Sequence, residues 1–232
     1  MAKAPTDAAG SRQDPRPGAP DSGRELASAT AHSRVYALFA RALSYPDDEF
    51  CRWIAEGGLV EPLREQLAVI EPALAKDESV DWEALRNAGS ADDLAVEYTR
   101  LFDAGASGPP CPLYGGLYVG ARMKTMEEAV RFYNHFGLTL SDEQRELPDH
   151  LVTQLEFLHF LGYREAEALE QGADPGPYRR AQRDFVARHP GAWLPRLCEK
   201  LLEQGAAPFF GALLAALNRL LAAESKRLAA TP

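Results

Sequence analysis

The sequence contains little cysteine. Its three cysteines, Cys51, Cys111 and Cys198, are odd in number, lie far apart in 232 residues and form no C-x-x-C pair. This pattern favours neither a disulfide framework nor a cysteine zinc site, and reduced thiols are typical of a cytosolic protein. Cys111 stands between two prolines, and we expect it to pack rather than to react.

Long apolar runs are also missing. A membrane-spanning helix needs about 20 consecutive apolar residues, and the longest apolar region, 209–223, is interrupted by Asn218 and Arg219. Residues 1–20 include no apolar segment of the kind found in secretory signals. The sequence therefore predicts a cytoplasmic protein without stable membrane insertion.

Basic residues are outnumbered by acidic ones, 25 to 34, which gives a formal net charge of -9. An acidic surface repels phosphate backbones, so this balance argues against nucleic acid as a partner. The same charge attracts basic partners over long range.

Catalytic motifs are absent as well. The sequence has no phosphate-binding loop, no G-x-S-x-G and no H-E-x-x-H. Glu156 and His159 form an E-x-x-H, the spacing used in helical di-iron bundles, but such a site needs a second pair that the other histidines do not supply. We therefore predict no metal, no cofactor and no enzyme activity. A helical metalloenzyme using Glu156, His159 and His150 remains one alternative, and a general helical adaptor protein is another.

Helical periodicity is the main pattern that is present. Residues 1–21 are rich in alanine, proline, glycine and charge, which predicts a disordered tail. From residue 22 to 232, apolar residues recur at three- and four-residue steps, and no alternating strand pattern occurs. The sequence predicts a single all-α domain. Its helices are expected over 22–45, 47–54, a segment opening near 62, 81–88, 90–102, 123–136, 148 to 162 or 171, 175–188, 191–204 and 208–228.

The helical pattern breaks at residues 103–120. This segment holds five glycines and three prolines, a density that predicts no regular helix. It also carries four large apolar residues that a plain linker would lack: Leu113, Tyr114, Leu117 and Tyr118. We predict a long structured loop between two helical halves, and loops of this kind are usually functional.

The helix that follows residue 148 is apolar around much of its circumference, which predicts a central position in the fold. Asp149 is expected in its exposed first turn, where the helix dipole favours a carboxylate. His150 is expected beside it at the edge of a cleft. From spacing alone, an N-terminal acid next to a satisfied core histidine is the simpler interpretation.

Several of these motifs together resemble the TorD/DmsD/NarJ family of assembly chaperones for molybdenum enzymes. Residues 97–102 read E-Y-T-R-L-F and precede the Gly/Pro loop, residues 132–138 read F-Y-N-H-F-G-L, and residues 148–157 read P-D-H-L-V-T-Q-L-E-F. The order and spacing agree across residues 34–225. The loop at 111–118 is closer to the chaperones of periplasmic dehydrogenases and reductases acting on ethylbenzene, dimethyl sulfide, selenate or chlorate.

This resemblance implies a TorD-like helical bundle that binds the precursor of a molybdopterin enzyme's catalytic subunit through its twin-arginine signal peptide. Such a chaperone delays export until the molybdenum cofactor is inserted, and it is a monomer or a domain-swapped dimer. By position, the residues implied in client binding are Pro148, Asp149, His150, Glu97, Tyr98, Leu101, Phe102, Tyr114 and Tyr118. Together with Asp103 they could supply an apolar groove with carboxylates at one end, as a basic and apolar peptide requires.

Overall fold

The computed structural model describes residues 22–106, 108–120, 122–139 and 146–229. Within these ranges the regular elements are all helical, which confirms the all-α prediction, and two isolated bridges stand in place of any strand. The tail predicted over 1–21 lies outside the described residues. In chain order the helices are α1 (Ser22–Ala42), α2 (Asp48–Ala55), α3 (Val60–Ile70), α4 (Pro72–Ala75), α5 (Trp82–Arg86), α6 (Ala91–Tyr98), a π-helical turn (Thr99–Asp103), α7 (Gly116–Val119), α8 (Arg122–His135), α9 (Leu151–Glu170), α10 (Gly176–Arg188), α11 (Pro190–Glu203) and α12 (Pro208–Ala229).

Side-chain caps set the starts of the short N-terminal helices. The carboxylate of Asp47 accepts a hydrogen bond from the backbone N–H of Phe50 and caps α2, as its sequence position predicts. The sequence offers Ser90 and Asp92 as caps for α6, and Ser90 is the one used, because its hydroxyl accepts from the backbone N–H of Asp93. These local signals are sufficient to place both helices.

Two predictions for the Gly/Pro loop and the helix after residue 148 are wrong. Helix α9 begins at Leu151 with His150 as its N-cap, so Pro148 and Asp149 precede the helix instead of forming its first turn. The Gly/Pro loop, predicted to hold no regular helix, contains the single turn α7, which ends at Gly120 in the left-handed region at φ 76°. Glycine destabilises helices by a small amount per residue, so tertiary contacts can impose one turn.

Helices α1 and α9 form the centre of the fold and pack together more extensively than any other pair of described elements. Their backbones approach closely at Gly162, where an added Cβ would lie 2.9 Å from the backbone nitrogen of Ser33. Only glycine fits such a contact without displacement of one helix. The apolar faces of both helices join α10, α11 and α12 in one core.

A buried ionic contact ties the C-terminal helix to α1. His32 Nε2 lies 2.7 Å from Glu224 Oε1, and Arg227 donates to both carboxylate oxygens of Glu224. Burial by itself would raise the pKa of Glu224, but His32 and Arg227 hold it at about 2. The carboxylate is therefore ionised and fully paired at neutral pH.

In the part of the chain that the structure describes, every helix is too short or too polar to cross a bilayer.

Candidate functional site

The Gly/Pro loop is fastened to the segment that enters α9. Leu151 donates its backbone N–H to the carbonyl of Leu113 at 2.8 Å, and Gly115 donates to the carbonyl of Asp149 at 3.0 Å. Between these two bonds, Tyr114 pairs with His150 as an isolated antiparallel bridge. The structure thus brings together the loop and the Pro-Asp-His segment, two motifs that are more than 30 residues apart in the sequence.

Asp149 is completely buried, which corrects the expectation of an exposed carboxylate. Its Oδ2 accepts the backbone N–H of Gly116 at 2.8 Å, and its carbonyl also accepts from the side-chain amide of Gln154. Oδ1 finds no hydrogen-bond partner among the described residues. Asp149 therefore holds the loop in place, and its carboxylate cannot reach a peptide on the surface of this conformation.

Two adjacent glycines allow the loop to lie this close. An added Cβ at Gly116 would stand 2.9 Å from Asp149 Oδ2 and 2.7 Å from the Cα of Arg122. An added Cβ at Gly115 would stand 2.5 Å from Nε1 of Trp193, which is buried in the core. A side chain at either position would collide with its neighbours, so close packing explains the glycine pair. The pair is not part of a phosphate-binding loop.

His150 is buried and caps α9, with its Nδ1 accepting the backbone N–H of Val152 at 3.3 Å. Burial lowers the pKa of His150, and the negative charges of Glu146 and Asp149 act against this shift. A neutral ring that accepts at Nδ1 carries its proton on Nε2. That nitrogen lies 3.8 Å from Glu146 Oε2, so the ring faces a carboxylate.

Glu146 is a site residue that the sequence did not reveal. Its Oε2 accepts a hydrogen bond of 2.6 Å from the hydroxyl of Tyr114, and the Tyr114 ring lies against the ring of His150 at 4.9 Å between centroids. The Glu146 side chain is 44% exposed. No periodicity marks this position, since it precedes α9 in irregular chain, and only the folded loop brings it to Tyr114.

Asp103 is a second exposed carboxylate, and it lies near Glu146. Burial and the negative charge of Glu146 both raise the pKa of Asp103. Asp103, Glu146 and Tyr114 also act electrostatically on the hydroxyl of Tyr98, whose ring contacts the exposed ring of Tyr45 at 5.4 Å. Within the described ranges, neither carboxylate forms an ion pair with lysine or arginine. We call Tyr45, Asp103, Tyr114 and Glu146 the acidic–aromatic surface.

Four of the expected client-binding residues form the core beneath this surface. Tyr98, Leu101, Phe102 and Tyr118 are all buried, so in this conformation they cannot line an open groove. The π-helical turn follows Tyr98 and holds both Leu101 and Phe102, and turns of this type often occur at functional sites. Tyr118 stacks on Trp193 and donates its hydroxyl to the carbonyl of Pro112.

Glu97 has a structural role. It forms a two-point ion pair with Arg100, and its Oε1 accepts the backbone N–H of Ala207 at 2.7 Å, just before α12 begins. Cys111 is buried, and its backbone N–H bonds to the carbonyl of Leu101. Burial raises the pKa of the Cys111 thiol, as in a packed cysteine.

The E-x-x-H pair does not form part of a larger ligand set. His159 uses Nδ1 for Ser33, at 2.9 Å from its carbonyl and 2.8 Å from its hydroxyl. Across residues 22–106, 108–120, 122–139 and 146–229, no three histidine, cysteine, aspartate or glutamate side chains are grouped as metal ligands.

The chain is similar to known proteins over most of its length. The family model described as "Nitrate reductase delta subunit" matches residues 56–199, which include the loop, the Pro-Asp-His segment and α9. The "Perchlorate reductase assembly chaperone protein" of Dechloromonas aromatica is 34% identical over 201 residues, which cover 85% of this chain and 90% of that protein.

Two further relatives are similar to the same extent. The "Chlorate reductase assembly chaperone protein" of Ideonella dechloratans is 36% identical over 168 residues, covering 72% of this chain and 74% of the relative. The "Dimethyl sulfide dehydrogenase assembly chaperone protein" of Rhodovulum sulfidophilum is 34% identical over 203 residues, covering 84% and 78%.

Proposed function

The chain belongs to the nitrate reductase delta subunit family, and from this we propose that it is an assembly chaperone for a redox enzyme. Relatives at 34–36% identity carry the names of chaperones for perchlorate reductase, chlorate reductase and dimethyl sulfide dehydrogenase. The proposed client is the catalytic subunit of a molybdenum enzyme. The chaperone binds its precursor in the cytoplasm, at the twin-arginine signal peptide, and assists cofactor insertion before export.

The observation that carries the peptide-binding part of this proposal is the acidic–aromatic surface. A twin-arginine peptide presents guanidinium groups followed by an apolar stretch, so its binding site needs accessible carboxylates next to exposed rings. Asp103 and Glu146 supply the carboxylates, and the exposed ring of Tyr45 and the half-buried ring of Tyr114 supply aromatic surface for a guanidinium.

The Pro-Asp-His segment supports this surface from below. The carbonyl of Pro148 accepts the hydroxyl of Tyr133 at 2.7 Å, Asp149 holds the glycines of the loop, and His150 supports the Tyr114 ring. In this proposal the three residues position Tyr114 and Glu146, and those two side chains contact the peptide. In this proposal the site binds and releases the peptide without chemical change, so we infer that the protein is not an enzyme.

Calorimetric titration with a synthetic peptide of two adjacent arginines followed by an apolar stretch tests the proposal. The same peptide with both arginines replaced by citrulline, which is neutral and nearly isosteric, is the control. We expect binding of the first peptide and at least about tenfold weaker binding of the second, because charge-assisted contacts are lost. Equal binding of both would favour a general helical adaptor, and one metal ion per purified chain would favour a metalloenzyme.

A further inference from the structure

A cavity of about 250 Å³ opens beside the N-terminal half of α9, on the side of α8. Three aromatic rings form its walls, and Leu138, Thr139, Thr153 and Glu156 complete the lining; the rings are those of Tyr133, Phe157 and Phe160. Thr153 and Glu156 are three residues apart, so they lie on the same face of the helix, one turn from each other.

Thr153 lines this cavity, and its hydroxyl is a buried polar group. Thr153 is 6% exposed, and its Oγ1 finds no hydrogen-bond partner in the described part of the chain. An unsatisfied buried hydroxyl destabilises the fold, and buried polar groups in proteins are nearly always bonded. A ligand that donates a hydrogen bond at this point would satisfy it.

Glu156 adds a negative charge at the rim. It forms no ion pair and no side-chain hydrogen bond among the described residues, although its partial burial raises its pKa while His159 lowers it. Tyr133 does not donate a hydrogen bond to it, because its hydroxyl is already donated to the carbonyl of Pro148. The cavity therefore combines ring faces, an unsatisfied hydroxyl and a carboxylate that forms no salt bridge among the described residues.

We propose that this cavity is a binding pocket for an arginine side chain of a partner polypeptide. A guanidinium is planar and carries five N–H donors, so it can stack on the rings and donate to Thr153 and Glu156 together. The aliphatic part of the side chain would contact Leu138 and Phe160. A lysine offers one point charge without a planar face, so it satisfies fewer of these groups at once.

The choice of an arginine-bearing partner rests on the proposed function, in which the client peptide carries two adjacent arginines. The pocket itself is defined by its lining residues alone. It is also linked to the acidic–aromatic surface. Tyr133 lines the pocket and bonds to Pro148, next to the buried Asp149.

The pocket can be tested without the client by NMR titration of the full chain with Nα-acetyl-arginine amide. We expect millimolar binding with shifts at Thr153, Glu156 and Phe157, and at least about fivefold weaker binding of Nα-acetyl-citrulline amide. Glu156→Gln should weaken arginine binding by a similar factor and Thr153→Val by about twofold to threefold. Glu170→Gln is the matched control, because it removes the same charge at the far, exposed end of α9.

The outcomes separate this inference from the function. Absence of shifts at the pocket, or equal binding by the Glu156→Gln and unaltered chains, overturns the pocket whatever the twin-arginine peptide does. If the arginine amide binds at the pocket and the peptide does not bind at all, the pocket stands and the proposed function fails. If the peptide binds with a loss on Glu146→Gln but none on Glu156→Gln, and no shifts occur at the pocket, the function stands without it.

Discussion

The hydroxyl of Tyr114 donates a 2.6 Å hydrogen bond to Glu146 Oε2, across 32 residues of sequence. This contact joins the Gly/Pro loop to the segment before α9 and leaves the carboxylate 44% exposed. The pair thus provides a ring and an accessible negative charge at one point of the surface.

We expect Glu146→Gln to weaken binding of the twin-arginine peptide by about twofold to tenfold, because a partly exposed carboxylate contributes about 0.5–1.5 kcal/mol. Glutamine can still accept from Tyr114, so the fold should be retained. Calorimetric titration and thermal melting of the variant measure the two effects. Glu170→Gln serves as the control, and equal losses in both variants would mean that only net charge matters.

Asp149→Ala should lower the free energy of unfolding by about 1–3 kcal/mol, since it leaves the buried N–H of Gly116 without an acceptor. Asp149→Asn keeps an oxygen at that position and should be less destabilising. Urea denaturation of the two variants gives the comparison. An Asp149→Ala chain of unchanged stability but reduced peptide affinity would restore a direct contact between Asp149 and the client.

Gly162→Ala should destabilise the fold by about 1–3 kcal/mol, because its methyl group would press on the backbone of Ser33. Gly211→Ala is the matched control in α12, where an added Cβ meets nothing within 4 Å. There we expect a gain of up to about 1 kcal/mol from helix propensity. Denaturant midpoints of both variants test the difference, and a loss in both would argue against a specific contact at Gly162.

Acid should weaken the fold through His189, which is buried between the rings of Phe132 and Phe185. Burial lowers the pKa of His189 to about 4, from an ordinary value of 6.5. Between these values the unfolded chain binds a proton that the folded chain does not, so stability falls as the pH falls from 6.5 toward 4.

At pH 5 the lowered pKa of His189 reduces the free energy of unfolding by about 2 kcal/mol. We therefore expect His189→Leu to lose less stability than the unaltered chain between pH 7 and pH 5, as measured by urea unfolding at both values. Parallel losses in the two chains would show that other groups account for the acid sensitivity.

The sequence is informative wherever the cause of a structure is local. Asp47 is correctly predicted as a cap, and Ser90 is one of the two caps predicted for α6, because a cap acts within three residues of itself. The all-α class follows from periodicity in the same way. The family also became recognisable from short motifs, and the names of the chlorate reductase and dimethyl sulfide dehydrogenase chaperones agree with the branch expected from loop 111–118.

The site itself depends on contacts that no local pattern encodes. The burial of Asp149 is a result of loop closure, because its carboxylate accepts from Gly116, 33 residues earlier in the chain. Glu146 becomes a site residue only in the folded chain, where the loop places the Tyr114 hydroxyl within hydrogen-bond distance of its carboxylate. The sequence pattern predicted an exposed charge at Asp149, but that side chain is buried, and the exposed carboxylate just before α9 is that of Glu146.

The pairing of α1 with α9 also has a consequence for how the chain folds. Ser33 contacts His159 across 126 residues, and His32 contacts Glu224 across 192. Such long loops must close before the central contacts form, which slows folding compared with helical bundles built from neighbouring elements. During synthesis α1 leaves the ribosome long before α9, and the side of α1 that packs on α9 stays uncovered until residues 151–170 have emerged.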